Sequence, residues 1–152
     1  MLVSDYLKEK SCLMDLKSDN KEEALKEIAA KLAEGNKSLN QDKFIADVLE
    51  REELGSTGIG NNIAIPHART DAVKGFVIGF GRAKSGIEFK ALDGKKVNLI
   101  FLMGASPDEL NLYLRILAEL SKLLMNASFR QALMAASDCA EVVQTIRKYE
   151  KG

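Results

Sequence analysis

The chain has 152 residues, the size of one ordinary domain, and 46% of them are hydrophobic, which is enough for a sizeable core. Its 22 basic and 22 acidic residues cancel, which argues against a dedicated nucleic-acid binder because such proteins carry a basic excess. No apolar run is long enough to span a bilayer, and the N-terminus lacks the apolar segment of a signal peptide. We therefore expect a single domain over residues 1–152, located in the cytoplasm and without membrane insertion.

The two cysteines, Cys12 and Cys139, lie far apart in the sequence and follow no metal-binding spacing. The chain also contains a single histidine, so a zinc site is disfavoured, and we predict no metal and no cofactor. We expect the cysteines to be separate, small, buried or half-buried thiols in a reducing compartment.

The first half of the chain predicts two amphipathic helices. In "SDNKEEALKEIAAKLAEG", Asp19 and Glu22 have the spacing of a capping box, and Gly35 is a natural stop. In "NQDKFIADVLEREELG", Asn40 can cap the N-terminus and Gly55 follows the end.

Three strands are predicted next. The segment "IAIPHAR" indicates a short strand that Pro66 interrupts, so it should lie near an edge of the sheet or end there. The segments "GFVIGFGRA" and "KVNLIFLMGA" are typical of buried strands, and Asp93 and Gly94 between them predict a turn.

The last third of the chain predicts helices. In "SPDELNLYLRILAELSKLLMN", Ser106 is the expected cap, Pro107 the first helical residue and Glu109 the partner in a capping box. The shorter segments "SFRQALMAA" and "CAEVVQTIRKY" follow as two further helices. The whole pattern predicts an α/β fold in which a mixed, parallel and antiparallel sheet of about five strands is sandwiched between helices.

His67 is the residue with the clearest chemical potential. An unperturbed imidazole has a pKa of about 6.5, so it can act as a nitrogen nucleophile near neutral pH, and Pro66 would help to aim its ring. A Ser-His-Asp hydrolase is disfavoured because the chain has no G-x-S-x-G elbow. From the residues alone, a structural or merely exposed histidine at a strand end stays an open alternative.

The segment "GSTGIG" before His67 has the composition of an anion-binding loop. Its glycines would let backbone N–H groups point at an anion, Ser56 and Thr57 would add hydroxyl donors, and the Arg51 guanidinium suits phosphate oxygens. The glycines concerned are Gly55, Gly58 and Gly60. As a bare motif the segment is weak, because it is neither a P-loop nor G-x-G-x-x-G, and the glycines could serve only as turns.

The run "REELGSTGIGNNIAIPHA" resembles the active-site signature of the fructose/mannitol-type enzyme IIA domains of the bacterial phosphotransferase system. Within that family it is most similar to the nitrogen-regulatory IIA proteins. The resemblance extends over nearly the whole chain and includes "IEFKALDGKKVNLIFLM" and "YLRILAELSKLL". It implies a mixed sheet between helical layers, in agreement with the predicted elements.

The resemblance also implies roles for individual residues. His67 would accept a phosphoryl group, at its Nε2, from HPr or a nitrogen-branch HPr-like phosphocarrier protein. Arg51 would help to hold that group, and Ser56, Thr57 and Gly58 would bind phosphate.

The chain departs from the family at one position. Many members carry a second histidine where "YLRIL" has Tyr113. A tyrosine can donate a hydrogen bond to a phosphoryl oxygen but cannot carry a positive charge, and a partly buried helix aromatic is an equal alternative. Arg115 lies two residues further on, which places it on a different face of the helix.

Three functions follow from the resemblance. The first is a regulatory protein whose phosphorylation state changes its binding to target proteins such as kinases or transporters, in nitrogen, potassium or carbon signalling. The second is a sugar-specific IIA component that relays phosphate to a IIB domain for fructose or mannitol uptake. The third is a docking module without phosphotransfer. The match to "LGSTGIG" and the lack of a fused IIB, IIC or carrier domain in this sequence favour the first.

Overall fold

The computed structural model describes residues 2–152, which form six strands and five α-helices. Two single 3₁₀ turns, Val3–Asp5 and Glu9–Ser11, come first. The elements that follow are, in chain order, β1 (Cys12–Leu13), α1 (Lys21–Gly35), α2 (Gln41–Glu53), β2 (Gly58–Gly60), β3 (Ile63–Ala64), β4 (His67–Arg69), β5 (Phe76–Ile87), β6 (Val97–Ala105), α3 (Leu110–Leu124), α4 (Ala127–Ala135) and α5 (Cys139–Lys151).

The sheet is built around an antiparallel pair, β5 and β6, in which Phe76 lies opposite Ala105 and Arg82 opposite Leu99. The strand order is β1-β5-β6-β3-β2, and β4 also pairs with β6. β1 runs parallel to β5, while β3 and β4 run parallel to β6. The predicted mixed α/β sheet is therefore confirmed, although β1 and β2 are too short for sequence alternation to reveal them.

Helices cover both faces of the sheet. Along β6, Ile100 and Leu102 pack with α1 and α2, while Phe101 and Met103 pack with the layer of α3, α4 and α5. This alternation is that of a strand buried on both faces. Among residues 2–152, no helix is both long and apolar enough to cross a membrane.

Two helix starts differ from the sequence-based expectation. Asn20, not Asp19, caps α1, and its side chain accepts a hydrogen bond from Glu23 N. α3 begins at Leu110. The backbone O of Ser106 accepts from Glu109 N in a separate turn that precedes the helix. At α1 two adjacent cap-forming residues leave the start of the helix open by one position, whereas at α3 the preceding residue, Glu109, makes no side-chain cap. Asn40 caps α2 as predicted.

A close approach between α2 and the sheet places the C-terminal end of α2 beside β4. A Cβ on Gly104 of β6 would come within 2.6 Å of the Phe44 ring of α2. Gly104 also lies opposite Ala68, the central residue of β4. A side chain at Gly104 would therefore push α2 away from the strand that carries His67.

The two cysteines correct the prediction of separate thiols. Cys12 of β1 and Cys139, the first residue of α5, form a disulfide with a Cα–Cα distance of 5.8 Å. No local signal predicts this pairing, because 127 positions separate the two residues. Only the packing of α5 against the β1 edge brings them together.

Candidate functional site

His67 lies where the edge of the sheet is interrupted. Ile65 N donates to Thr57 O, and Pro66, which has no N–H, accepts from Met103 N at 3.0 Å. Pairing with β6 resumes at His67, which lies opposite Met103. The predicted single strand is thus two short strands, β3 and β4, separated by Pro66.

One hydrogen bond sets the tautomer of His67. Its Nδ1 lies 2.7 Å from Ile65 O, and a carbonyl oxygen can only accept, so Nδ1 carries the proton. Burial lowers the pKa of His67 below its ordinary 6.5, and the Arg51 charge lowers it further, against opposing effects of the Ile65 carbonyl and Glu52. The imidazole is therefore neutral at pH 7, with the lone pair of Nε2 available for attack.

The ring lies in an open cavity of about 590 Å³ at the end of the sheet, between α2 and α3. Polar and charged side chains form much of its wall. The lining residues are Lys43, Asp47, Glu50, Arg51, Leu54, His67, Ala68, Arg69, Thr70, Asp71, Pro107, Leu110 and Tyr113.

Arg51, in the last turn of α2, contributes to the same cavity as predicted. One of its nitrogens, Nη1, donates to Gly55 O at 2.9 Å, which steadies the guanidinium at the helix end. Because this bond uses only one of the five N–H donors, the others are available to an anion bound at His67.

Tyr113 is brought next to His67 by the first turn of α3. The two ring centroids lie 5.7 Å apart in an edge-on arrangement, and Tyr113 is only 8% exposed. Burial raises the pKa of Tyr113, although the charges of Arg51 and Arg69 oppose this. Its hydroxyl therefore stays protonated at neutral pH and can donate, whereas Arg115 is exposed and lies outside the cavity wall.

Within the "GSTGIG" loop, Thr57 binds an anion, the buried carboxylate of Glu52. Thr57 N donates to Glu52 Oε2 at 2.9 Å, and the Thr57 hydroxyl also bonds Glu52. Glu52 is 7% exposed, and Lys21 lies 3.5 Å from its carboxylate. Sequence reasoning missed Glu52, whose charge also raises the pKa of His67.

The other predicted loop residues have structural partners too. Ser56 Oγ donates to Phe89 O at 2.6 Å and accepts from Gly58 N at 3.0 Å. A Cβ on Gly58 would meet Ala91 at 2.8 Å, so this glycine allows a close approach. Ser56, Thr57 and Gly58 lie outside the cavity wall, and a direct phosphate contact from any of them stays a prediction.

Two further features of the cavity were not anticipated. Arg69 lies two residues after His67 on β4, so strand alternation places both side chains on one face. Lys43 forms ion pairs with Asp47 and Asp71 at 3.0 and 3.2 Å. The i, i+2 spacing of His67 and Arg69 was the available signal for the arginine.

The chain is similar to known sequences over almost its whole length. The family described as "Phosphoenolpyruvate-dependent sugar phosphotransferase system, EIIA 2" matches residues 5–149. A nitrogen regulatory protein of Bradyrhizobium diazoefficiens is 31% identical over 96% of this chain and 95% of its own length. The fructose-specific EIIABC component of Bacillus subtilis is 32% identical over 99% of this chain, which spans only 24% of that protein.

Solved structures share the fold. The nitrogen regulatory protein IIA-Ntr of Neisseria meningitidis superimposes with a TM-score of 0.87, at 30% identity over 95% of this chain and 98% of its own. The mannitol IIA of Escherichia coli in its complex with phosphorylated IIB gives 0.79 at 21% identity, over 93% and 99%, and supports the fold alone. With the family match covering almost the whole sequence, the chain belongs to the type-2 enzyme IIA family of the phosphotransferase system.

Proposed function

We propose that this protein accepts a phosphoryl group on Nε2 of His67 from an HPr-like phosphocarrier and acts in regulation through its phosphorylation state. The observation that carries the proposal is the Nδ1 hydrogen bond to Ile65 O, which leaves Nε2 as the nucleophilic nitrogen. Within residues 2–152 no group hydrogen-bonds Nε2, and the ring lines an open cavity that a donor can reach.

The transfer needs no proton from this protein. The lone pair of His67 Nε2 forms a new N–P bond as the N–P bond of the donor phosphohistidine breaks, and the donor imidazole leaves with the electron pair. Catalysis then consists of positioning and charge stabilisation. Arg51 donates to the phosphoryl oxygens, and the Tyr113 hydroxyl adds a neutral donor on the opposite helix.

A partner protein can approach over an apolar rim. Leu54 is 83% exposed beside Arg51, and on α3 Leu110 and Leu114 are 38% and 51% exposed. A phosphoryl group at the centre of this rim adds about two negative charges, which is enough to change the affinity of a partner that covers it. Such a switch is what a regulatory role requires.

The regulatory reading draws support from the relatives. The nitrogen regulatory protein of Neisseria meningitidis shares both the fold and 30% identity, whereas the mannitol IIA shares the fold at 21%. The fructose-specific relatives, at 32% and 36% identity, favour a second candidate, in which His67 passes its phosphoryl group to a IIB domain. Both candidates place the protein in the cytoplasm, where the phosphocarriers of the system act.

The test is phosphorylation of the purified chain with phosphoenolpyruvate, enzyme I and a panel of HPr-like carriers, followed by intact mass measurement. We expect one acid-labile phosphoryl group per chain and none in His67→Gln. Because His67 is the only histidine of the chain, any phosphohistidine must lie there.

Two outcomes would redirect the proposal. Failure with every carrier, or an adduct that persists in His67→Gln, would refute phosphotransfer and leave a docking module. Rapid transfer from the phosphorylated chain to a sugar-specific IIB domain would favour the relay over regulation.

A further inference from the structure

The cavity contains a second arginine that neither the signature nor the family resemblance assigned. Arg69 follows His67 by two residues on β4, and their neighbours on β6, Ala105 and Met103, are likewise two residues apart. Both side chains therefore leave the strand on the same face, and both line the cavity.

The guanidinium of Arg69 does not bind any other group of residues 2–152. It has no side-chain hydrogen bond and no ion pair within residues 2–152, and the residue is exposed. The cavity wall contains three cationic side chains, Lys43, Arg51 and Arg69. Of these, Lys43 is paired with Asp47 and Asp71. Arg69 therefore offers a full set of unused donors to an anion in the cavity.

The two arginines reach the site from different elements: Arg51 from α2, and Arg69 from the face of β4 opposite to Ala68, which packs in the core with α1 and α2. The Arg51 charge lowers the pKa of both His67 and Tyr113, whereas the Arg69 charge lowers that of Tyr113. Arg69 therefore lies on the face of β4 that is turned towards α3, the helix that carries Tyr113, and its charge acts on that tyrosine. At the position where many family members carry a second histidine, which could supply positive charge, this chain has the neutral Tyr113.

We propose that Arg69 is a second phosphate-binding residue, which contacts the outer oxygens of the phosphoryl group on His67 and supplies the charge that Tyr113 cannot. The proposal rests on phosphorylation of His67. The phosphoryl group would lie between two guanidiniums, Arg51 on α2 and Arg69 on β4, with the Tyr113 hydroxyl as a third donor. The bidentate geometry of arginine suits such a dianion.

The experiment compares the wild-type chain with Arg69→Gln, Arg69→Lys and the matched control Arg115→Gln, an exposed arginine outside the cavity. Each protein is phosphorylated chemically with phosphoramidate, so that carrier docking plays no part, and the phosphoryl group is titrated by ³¹P NMR. The rate of phosphoryl acceptance from the carrier is measured separately. Circular dichroism confirms that each variant is folded.

We expect Arg69→Gln to slow acceptance about tenfold, the effect of one charge-assisted hydrogen bond. It should also raise the pKa of the phosphoryl group, because a lost cation favours the protonated form. Arg69→Lys should show smaller changes in both quantities, and Arg115→Gln none.

Three results would overturn the inference. Wild-type values of both quantities in Arg69→Gln would remove its role while phosphorylation of His67 stands. Slower acceptance from the carrier with an unchanged phosphoryl pKa would make Arg69 a docking residue. A wild-type chain that takes no phosphoryl group from either donor would refute both this role and the proposed function.

Discussion

Arg82 and Arg69 both lie on strands of the same sheet, yet their environments are opposite. Arg82 of β5 is 4% exposed, and its donors meet four backbone carbonyls, those of Met14, Leu133, Met134 and Ala136, at 2.7 to 3.2 Å. Arg69 of β4 is exposed and has no such partner within residues 2–152.

The contrast separates a structural cation from a ligand-binding one. The carbonyls around Arg82 come from β1's C-terminal side and from the end of α4, where the helix dipole favours positive charge. Its Nε and Nη1 donors bind these carbonyls and so serve the fold. At the His67 end, donors left unused around an open cavity are available to an anion.

The largest effect on stability should come from removing the structural arginine, Arg82. Arg82→Met removes the donors from four carbonyls, and unpaired buried acceptors cost about 1 to 3 kcal/mol each. Since some of these carbonyls regain water, we expect the free energy of unfolding to fall by about 3 to 5 kcal/mol. Urea denaturation measures it.

The control for this prediction is Arg115→Met, at an exposed position, which should change the free energy of unfolding by less than about 0.5 kcal/mol. Equal losses in the two variants would contradict the distinction between structural and ligand-binding arginines. The fraction of Arg82→Met that stays folded should still accept a phosphoryl group on His67.

The disulfide also holds distant parts of the fold together, and its loss should cause the next largest change in the free energy of unfolding. Cys12 and Cys139 join β1 to α5 across 127 positions, and cross-links over long loops stabilise by about 2 to 4 kcal/mol. We expect the free energy of unfolding of the wild-type chain, measured with urea, to be lower by this amount in excess dithiothreitol than under oxidising conditions.

The double variant Cys12→Ser with Cys139→Ser should unfold at the same urea concentration with and without dithiothreitol. A wild-type chain that is likewise insensitive would show that the two thiols are unpaired in solution. Phosphorylation of His67 should be the same in the oxidised and reduced forms, because the disulfide and the cavity lie at different edges of the sheet.

Substitutions in the cavity at His67 should change the rate of phosphoryl acceptance and its pH dependence, and hardly change the stability of the fold. Only the neutral imidazole attacks, so phosphoryl acceptance should fall as the pH drops, with its midpoint below 6.5 because burial and Arg51 lower the pKa of His67. Arg51→Gln removes one of these causes, so the midpoint should move to higher pH. Its plateau rate should be about tenfold lower.

Arg147→Gln, an exposed substitution on α5, is the matched control and should leave the pH profile unchanged. A midpoint that moves to lower pH in Arg51→Gln would contradict the electrostatic account of His67. A free energy of unfolding within about 0.5 kcal/mol of the wild-type value would indicate that Arg51 serves the site and not the fold.

Much of the fold could be predicted because its signals are local. Asn40 caps α2 through a hydrogen bond three residues away, and Pro66 breaks the edge strand because it lacks an N–H. The same locality explains the error at Asp19, where the neighbouring Asn20 serves as the cap, whereas α3 begins after Glu109 without any side-chain cap. The "GSTGIG" loop has the composition of an anion-binding loop; in the structure its Thr57 binds the internal Glu52 carboxylate, and a phosphate contact from the loop stays a prediction.

By itself the sequence determined the five helices, the two long strands β5 and β6 and the interruption of the edge strand at Pro66, because each of these signals lies within a few residues. Only the tertiary structure decided that Tyr113 meets His67 and that Cys12 meets Cys139. It also decided that Arg82 binds backbone carbonyls, while Arg69 has no hydrogen bond or ion pair within residues 2–152. Two arginines on strands look alike in a sequence. Their chemistry differs because packing surrounds one with carbonyls from distant segments and leaves the other facing an open cavity.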